Sequence, residues 1–222
     1  MMLMTAAPVD AACRLALALG FDVSKSVSTH DYGIQRDGVA AALADPAVRD
    51  AFFQGDDRVA LAIFEWSGRG YHDVMLSWTV IDSDADLTRV AALVAARVRD
   101  PTPRPTALGR ALEFAAGLFR EAPDCAAKTL DISGDGRNND GPPPRSVYLS
   151  GYEGVTVNGL AIGGVEADIL PYYQNEVIHG PGAFVMDART RDAFPAAFRT
   201  KLLRELTAAL LGQSGFGLPD QG

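Results

Sequence analysis

The chain has 222 residues, of which 48% are hydrophobic and 22% charged, and it carries a formal net charge of −8. This length fits one α/β domain better than two, and a core of that size folds without a metal or disulfide staple, so a metal site in it would serve function. The acidic balance, with Lys and Arg scattered, argues against a nucleic-acid partner, and no apolar stretch reaches the roughly 18 residues of a membrane span.

Residues 1–12 form a lead with an apolar start, then small residues and a proline. They lack the basic start and full apolar core of a secretory signal. A signal-peptide remnant and a plain short lead both remain open. RLALALGF, 14–21, reads as a buried strand ending at Asp22. Helical spacing covers 29–53, with Tyr32, Val39, Leu43 and Val48 as core candidates, and Pro46 divides it into a long and a short helix. Strands follow at 58–66 and 73–81, joined as a hairpin through SGRG. Residues 84–99 are an amphipathic helix with acidic residues at its start.

After the proline-rich DPTPRPT comes a helix over 106–122, with Leu108, Leu112, Ala115 and Phe119 on one face. KTLDIS, 128–133, is a strand, and GDGRNNDGPPP a long polar turn. Strands at 154–164 and 182–188 flank DILPYYQNEVI, which begins helical, and a closing helix spans 194–211. The remainder, 212–222, reads as a flexible tail. Strands alternating with helices imply a largely parallel sheet covered on both faces, with the hairpin adding an antiparallel edge. Cys13 and Cys125 each precede a strand-like run. A disulfide between them is geometrically feasible if those strands are parallel neighbours, and two free thiols are the alternative.

In an open α/β sheet, ligands sit beyond the carboxyl ends of the strands. Three polar loops fall at such places or open a helix: Asp22-Val23-Ser24-Lys25-Ser26, Pro105-Thr106 and Gly134-Asp135-Gly136. Asp22, Ser24, Ser26, Thr106 and Asp135 offer oxygen ligands only, a set suited to Mg²⁺, Mn²⁺ or Ca²⁺ and not to Zn²⁺.

This D-x-S-x-S, followed by a Thr opening a later helix and an Asp-Gly after a later strand, resembles the metal-ion-dependent adhesion site of von Willebrand factor A-type domains. The resemblance covers roughly residues 14–211. ALGFDVSKSVS, GIQRDGVAAAL, FEWS, TALGRALEFA, DISGDGRNNDG, TVNGLAI and GPGAFV resemble, in closer detail, the bacterial DUF1194 family within that fold. The resemblance implies a doubly wound, mostly parallel six-stranded sheet in one domain over 13–211, with one antiparallel edge strand and helices on both faces. It implies that Asp22, Ser24, Ser26, Thr106 and Asp135 hold a divalent cation, Mg²⁺ first, while a carboxylate of a protein or peptide partner completes the metal shell. It also implies a strand order of 3-2-1-4-5-6, which makes the first and fourth strands neighbours and supports a Cys13–Cys125 disulfide. A disulfide points to an oxidising compartment, hence a periplasmic or secreted protein. Lys25 departs from the Gly that many members carry there.

Other patterns carry less. DISGDGRNND mimics the front of an EF-hand loop, but Pro142 stands where a bidentate Glu is required, so Asn138, Asn139 and Asp140 are assigned to shaping the turn. Asp131, mid-strand, needs a partner if buried. Glu65 and Trp66, and Tyr172 and Tyr173, are candidates for a binding rim, with a core role the alternative for each pair. No G-x-S-x-G or G-x-x-x-x-G-K-[ST] motif occurs. Two rival functions remain. One is a metal-dependent hydrolase with Asp131, Glu65 or His179 as its base, and the other is a metal-ion or small-molecule binding protein of the cell envelope.

Overall fold

The computed structural model describes residues 12–164 and 166–214. Six strands form one sheet in the order β3-β2-β1-β4-β5-β6. They are β1 (Cys13–Asp22), β2 (Arg58–Trp66), β3 (His72–Ile81), β4 (Cys125–Gly134), β5 (Val155–Ile162) and β6 (Val185–Ala188). All pairings are parallel except β2 with β3, the predicted hairpin.

Period-two alternation in β1 sorts its side chains between two layers. Leu15, Leu17 and Leu19 join a core with α1 (Thr29–Ala44), α2 (Pro46–Phe52), α3 (Asp84–Ala95) and α7 (Phe194–Ser214). Ala16 and Ala18 face the opposite core, built with Leu108, Leu112, Ala115 and Phe119 of α4 (Leu108–Phe119). The central strands are buried on both faces, which explains why they read as near-continuous apolar runs. The two cores cover the two faces of a doubly wound sheet, as expected.

Helix boundaries follow local chemistry. Ser28 and Asp31 form a capping box at α1, and Ser83 and Asp86 form another at α3. Asp45 caps α2, whose first residue is Pro46, so the proline divides the helical stretch as expected. The predicted 84–99 and 106–122 helices are shorter at their ends, and the 182–188 strand is confined to Val185–Ala188. A short α5 (Pro144–Val147) lies in the polar turn. DILPYYQNEVI forms α6 (Ile169–Tyr172) continued by a π turn, Tyr173–Val177. A 3-10 turn, Arg191–Ala193, precedes α7.

Cys13 and Cys125 are direct register partners on β1 and β4, and they are joined by a disulfide. Helix α7 continues to Ser214, into the stretch assigned to the tail. The lead before residue 12 and the tail beyond 214 lie outside the described residues. Among the described residues, no helix is long and apolar enough to cross a membrane.

Candidate metal centre

The five residues singled out from sequence converge at the carboxyl ends of β1 and β4. Asp22 is the last residue of β1 and is fully buried. Its Oδ1 accepts from the Ser24 backbone N–H at 2.7 Å, which folds the D-x-S-x-S loop back on itself. The hydroxyls of Ser24 and Ser26 lie 3.1 Å apart. Thr106 Oγ1 donates to Ser24 Oγ at 3.1 Å, and Ser26 Oγ donates to Asp135 Oδ1 at 2.6 Å. A continuous line of oxygens therefore runs from Thr106 through both serines to Asp135.

The three loops are tied together by their backbones. Lys25 N–H donates to Arg104 O at 2.9 Å, and Arg99 Nη2 reaches Ser24 O at 3.1 Å. Thr106 N–H donates to Asn139 Oδ1 at 2.9 Å, while Asn139 N–H donates back to Thr106 O at 2.8 Å. Asn138 Oδ1 accepts from Gly109 N–H at 3.0 Å and serves the start of α4. Asp140 Oδ2 accepts from Arg69 N–H at 2.7 Å in the hairpin turn. These residues shape the turn, as assigned from sequence.

Asp22 Oδ2 has no hydrogen-bond partner although it is buried. Burial, and then the charge of Asp135, push the Asp22 carboxyl up to about 7, opposed by Ser24. Burial also raises Asp135, opposed by Ser26 and Arg191. Directly beside this pair lies the hydroxyl of Tyr173, also buried and without a partner. A Cβ on Gly134 would sit 2.5 Å from Tyr173 Oη and 3.0 Å from Asp22 Oδ2. Only glycine allows the tyrosine and the aspartate to approach from both sides.

Several sequence candidates lie elsewhere. Trp66 is wholly buried, and Glu65 is buried beneath Tyr32 (Tyr32 Oη to Glu65 Oε1, 2.5 Å) and Arg97, so this pair forms core rather than rim. Tyr173 is core as well. Tyr172 is half-buried, and its hydroxyl accepts from Asn138 N–H at 3.2 Å. His179 stacks on Tyr148, and its backbone pairs with Val157. Asp131 is buried against Lys201 Nζ at 2.7 Å. Lys25 is exposed. Two residues were not foreseen from sequence: Tyr173 as a neighbour of Asp22, and Arg191, whose Nη2 lies 3.3 Å from Asp135 Oδ2.

Among the described residues, no group of three or more His, Cys, Asp or Glu is placed to hold a metal. The cluster consists of two carboxylates and three hydroxyls instead. Its oxygen-only chemistry, with a buried carboxylate oxygen left over, fits a hard divalent cation that retains some waters.

A family model described as "Protein of unknown function (DUF1194)" matches residues 12–210. The chain belongs to the DUF1194 family. The fold of this DUF1194 chain is that of von Willebrand factor A domains. A von Willebrand factor type A protein from Catenulispora acidiphila superposes with a TM-score of 0.61 at 20% identity, over 88% of this chain and 43% of that one. Proximal thread matrix protein 1 from the mussel byssus, in a structure with a zinc-occupied MIDAS motif, gives 0.61 at 17%, over 89% of this chain and 49% of that one. The pilus adhesin SpaC from Lactobacillus rhamnosus GG gives 0.63 at 14%, over 89% and 30%. The DUF1194 chain spans about half or less of each of these neighbours. No curated protein matches the sequence.

Proposed function

We propose that this protein binds a divalent cation through Asp22, Ser24, Ser26, Thr106 and Asp135, and uses it to bind an acidic side chain of a protein or peptide. Mg²⁺ is the first choice of ion, with Mn²⁺ or Ca²⁺ as substitutes. The observation that carries this reading is the orphaned Asp22 Oδ2, buried beside the hydroxyl line and within electrostatic reach of Asp135. A buried carboxylate without a counter-charge is costly, and a divalent ion relieves that cost. The zinc-occupied motif of the byssus protein supports a divalent ion at such a site, and it brings Zn²⁺, which the oxygen-only donors argued against, back among the ions to test.

Each residue has a distinct part. The Ser24 N–H orients Asp22, Asn139 fixes Thr106, and the serine hydroxyls present their lone pairs to the ion. The bound cation supplies a positive centre with an open position for a carboxylate. The binding unit is residues 13–211. The Cys13–Cys125 disulfide supports a periplasmic or secreted setting.

Titration calorimetry with Mg²⁺, Mn²⁺, Ca²⁺ and Zn²⁺ tests the proposal. Wild type is expected to bind at one saturable site, and Asp22→Ala to lose it. Equal binding by both proteins would place the ion elsewhere, and no binding by wild type would remove the reading.

A further inference from the structure

Arg191 follows β6 and opens the 3-10 turn that leads into α7. Its side chain is 30% exposed and reaches back over the candidate site. Nη2 lies 3.3 Å from Asp135 Oδ2 and donates to Ser26 O at 3.2 Å. Nη1 lies 3.2 Å from Asp31 Oδ2, in the first turn of α1. The guanidinium therefore touches one of the five proposed ligands directly and the backbone of a second. Asp31 is already held by the Ser28 cap, which fixes the far end of the bridge.

We infer that Arg191 is an internal counter-cation that competes with the divalent ion for Asp135, so that the site holds metal weakly until an acidic partner adds its own charge. This deepens the proposed function and rests on it. The physical basis is charge balance. Asp22 and Asp135 offer two negative charges, and Arg191, shared between Asp135 and Asp31, offsets part of that charge at ion-pair distance. A partner carboxylate restores what Arg191 removes. Metal occupancy and partner binding then reinforce each other, as linkage requires.

A purely structural Arg191 would give the opposite result on substitution. If it only oriented Asp135, its loss would loosen the ligand and weaken metal binding. If it competes, its loss must tighten binding. The two roles therefore differ in sign.

The test is Mn²⁺ titration followed by the spin-resonance signal of the free ion, on wild type, Arg191→Gln and Arg191→Lys. Arg191→Gln is expected to bind Mn²⁺ more tightly, on the order of tenfold, as a nearby like charge is removed from a partly screened site. Arg191→Lys keeps the charge and stays close to wild type. In EDTA, Arg191→Gln is expected to melt below wild type, with the deficit shrinking in saturating Mn²⁺. Binding by Arg191→Gln that is equal to or weaker than a measurable wild-type value overturns the inference while leaving the metal site intact. Absence of binding in all three proteins overturns both. Binding by Arg191→Gln where wild type shows none supports the inference.

Discussion

Asp131 lies within β4, and Asp135 lies just beyond its end. Both are buried, and burial raises both carboxyls. Asp131 meets α7, where Lys201 Nζ stands 2.7 Å from it and 2.6 Å from Glu205 Oε1. Asn158 Nδ2 donates to the same Glu205 oxygen at 2.9 Å and, through its own Oδ1, accepts from Phe184 N–H. This lower cluster supplies its own cation on a fully buried side chain. Each cluster leaves a buried carboxylate oxygen without a hydrogen-bond partner, Glu205 Oε2 in the lower and Asp22 Oδ2 in the upper, but the cation beside Asp135, Arg191, is partly exposed. A carboxylate pair that shares a wholly buried ammonium inside the fold is out of a ligand's reach, whereas a pair at a loop cluster beside a partly exposed cation is open to one.

Lys201 is the internal cation of the lower cluster. Lys201→Met leaves two carboxylates buried without their ammonium, and such a loss costs about 3–5 kcal/mol. Guanidinium unfolding is expected to show that loss equally in EDTA and in Mg²⁺. A deficit that vanished in Mg²⁺ would mean the two clusters are one.

The lower cluster also responds to pH. Burial, followed by the charge of Asp131, pushes the Glu205 carboxyl from 4.5 up to about 7. An acid that holds its proton more firmly when folded stabilises the protein below its unfolded value, and that contribution is lost as the pH rises through the folded value. Stability in EDTA is therefore expected to fall between roughly pH 5 and pH 8, by about 2 kcal/mol. Glu205→Gln, which never ionises, is expected to remove that share of the slope when unfolding is followed across the same range, leaving the share of Asp22, whose carboxyl burial raises into the same range.

The sequence made part of this legible and hid the rest for physical reasons. Asp22, Ser24 and Ser26 are readable because one short loop carries all three at the end of an apolar strand. Thr106 and Asp135 needed the order of the strands, which the family resemblance provided. Arg191 lies in an ordinary charged turn, and only the path from β6 back across β1 brings it to Asp135. Lys201 and Glu205 look like a surface pair at helical spacing. The available signal was their position within the buried stripe of Phe194, Phe198, Leu202 and Leu206. Glu65 and Trp66 end their strand near the site, but Glu65 is buried against Tyr32 and Arg97 and Trp66 lies in the core with Leu108 and Leu112, a burial that sequence position alone does not reveal.

The most direct measurement is the melting temperature of wild type and Asp22→Asn, each in EDTA and in Mg²⁺ at about ten times its dissociation constant. An ion that binds only the folded state adds RT ln(1 + [L]/Kd), here about 1.4 kcal/mol, or roughly 3–5 °C for a chain of this size. That rise is expected in wild type and none in Asp22→Asn, which should melt no lower than wild type in EDTA because it no longer buries an unpaired charge. A wild type indifferent to Mg²⁺, or an Asp22→Asn variant that gains as much as wild type, would contradict it.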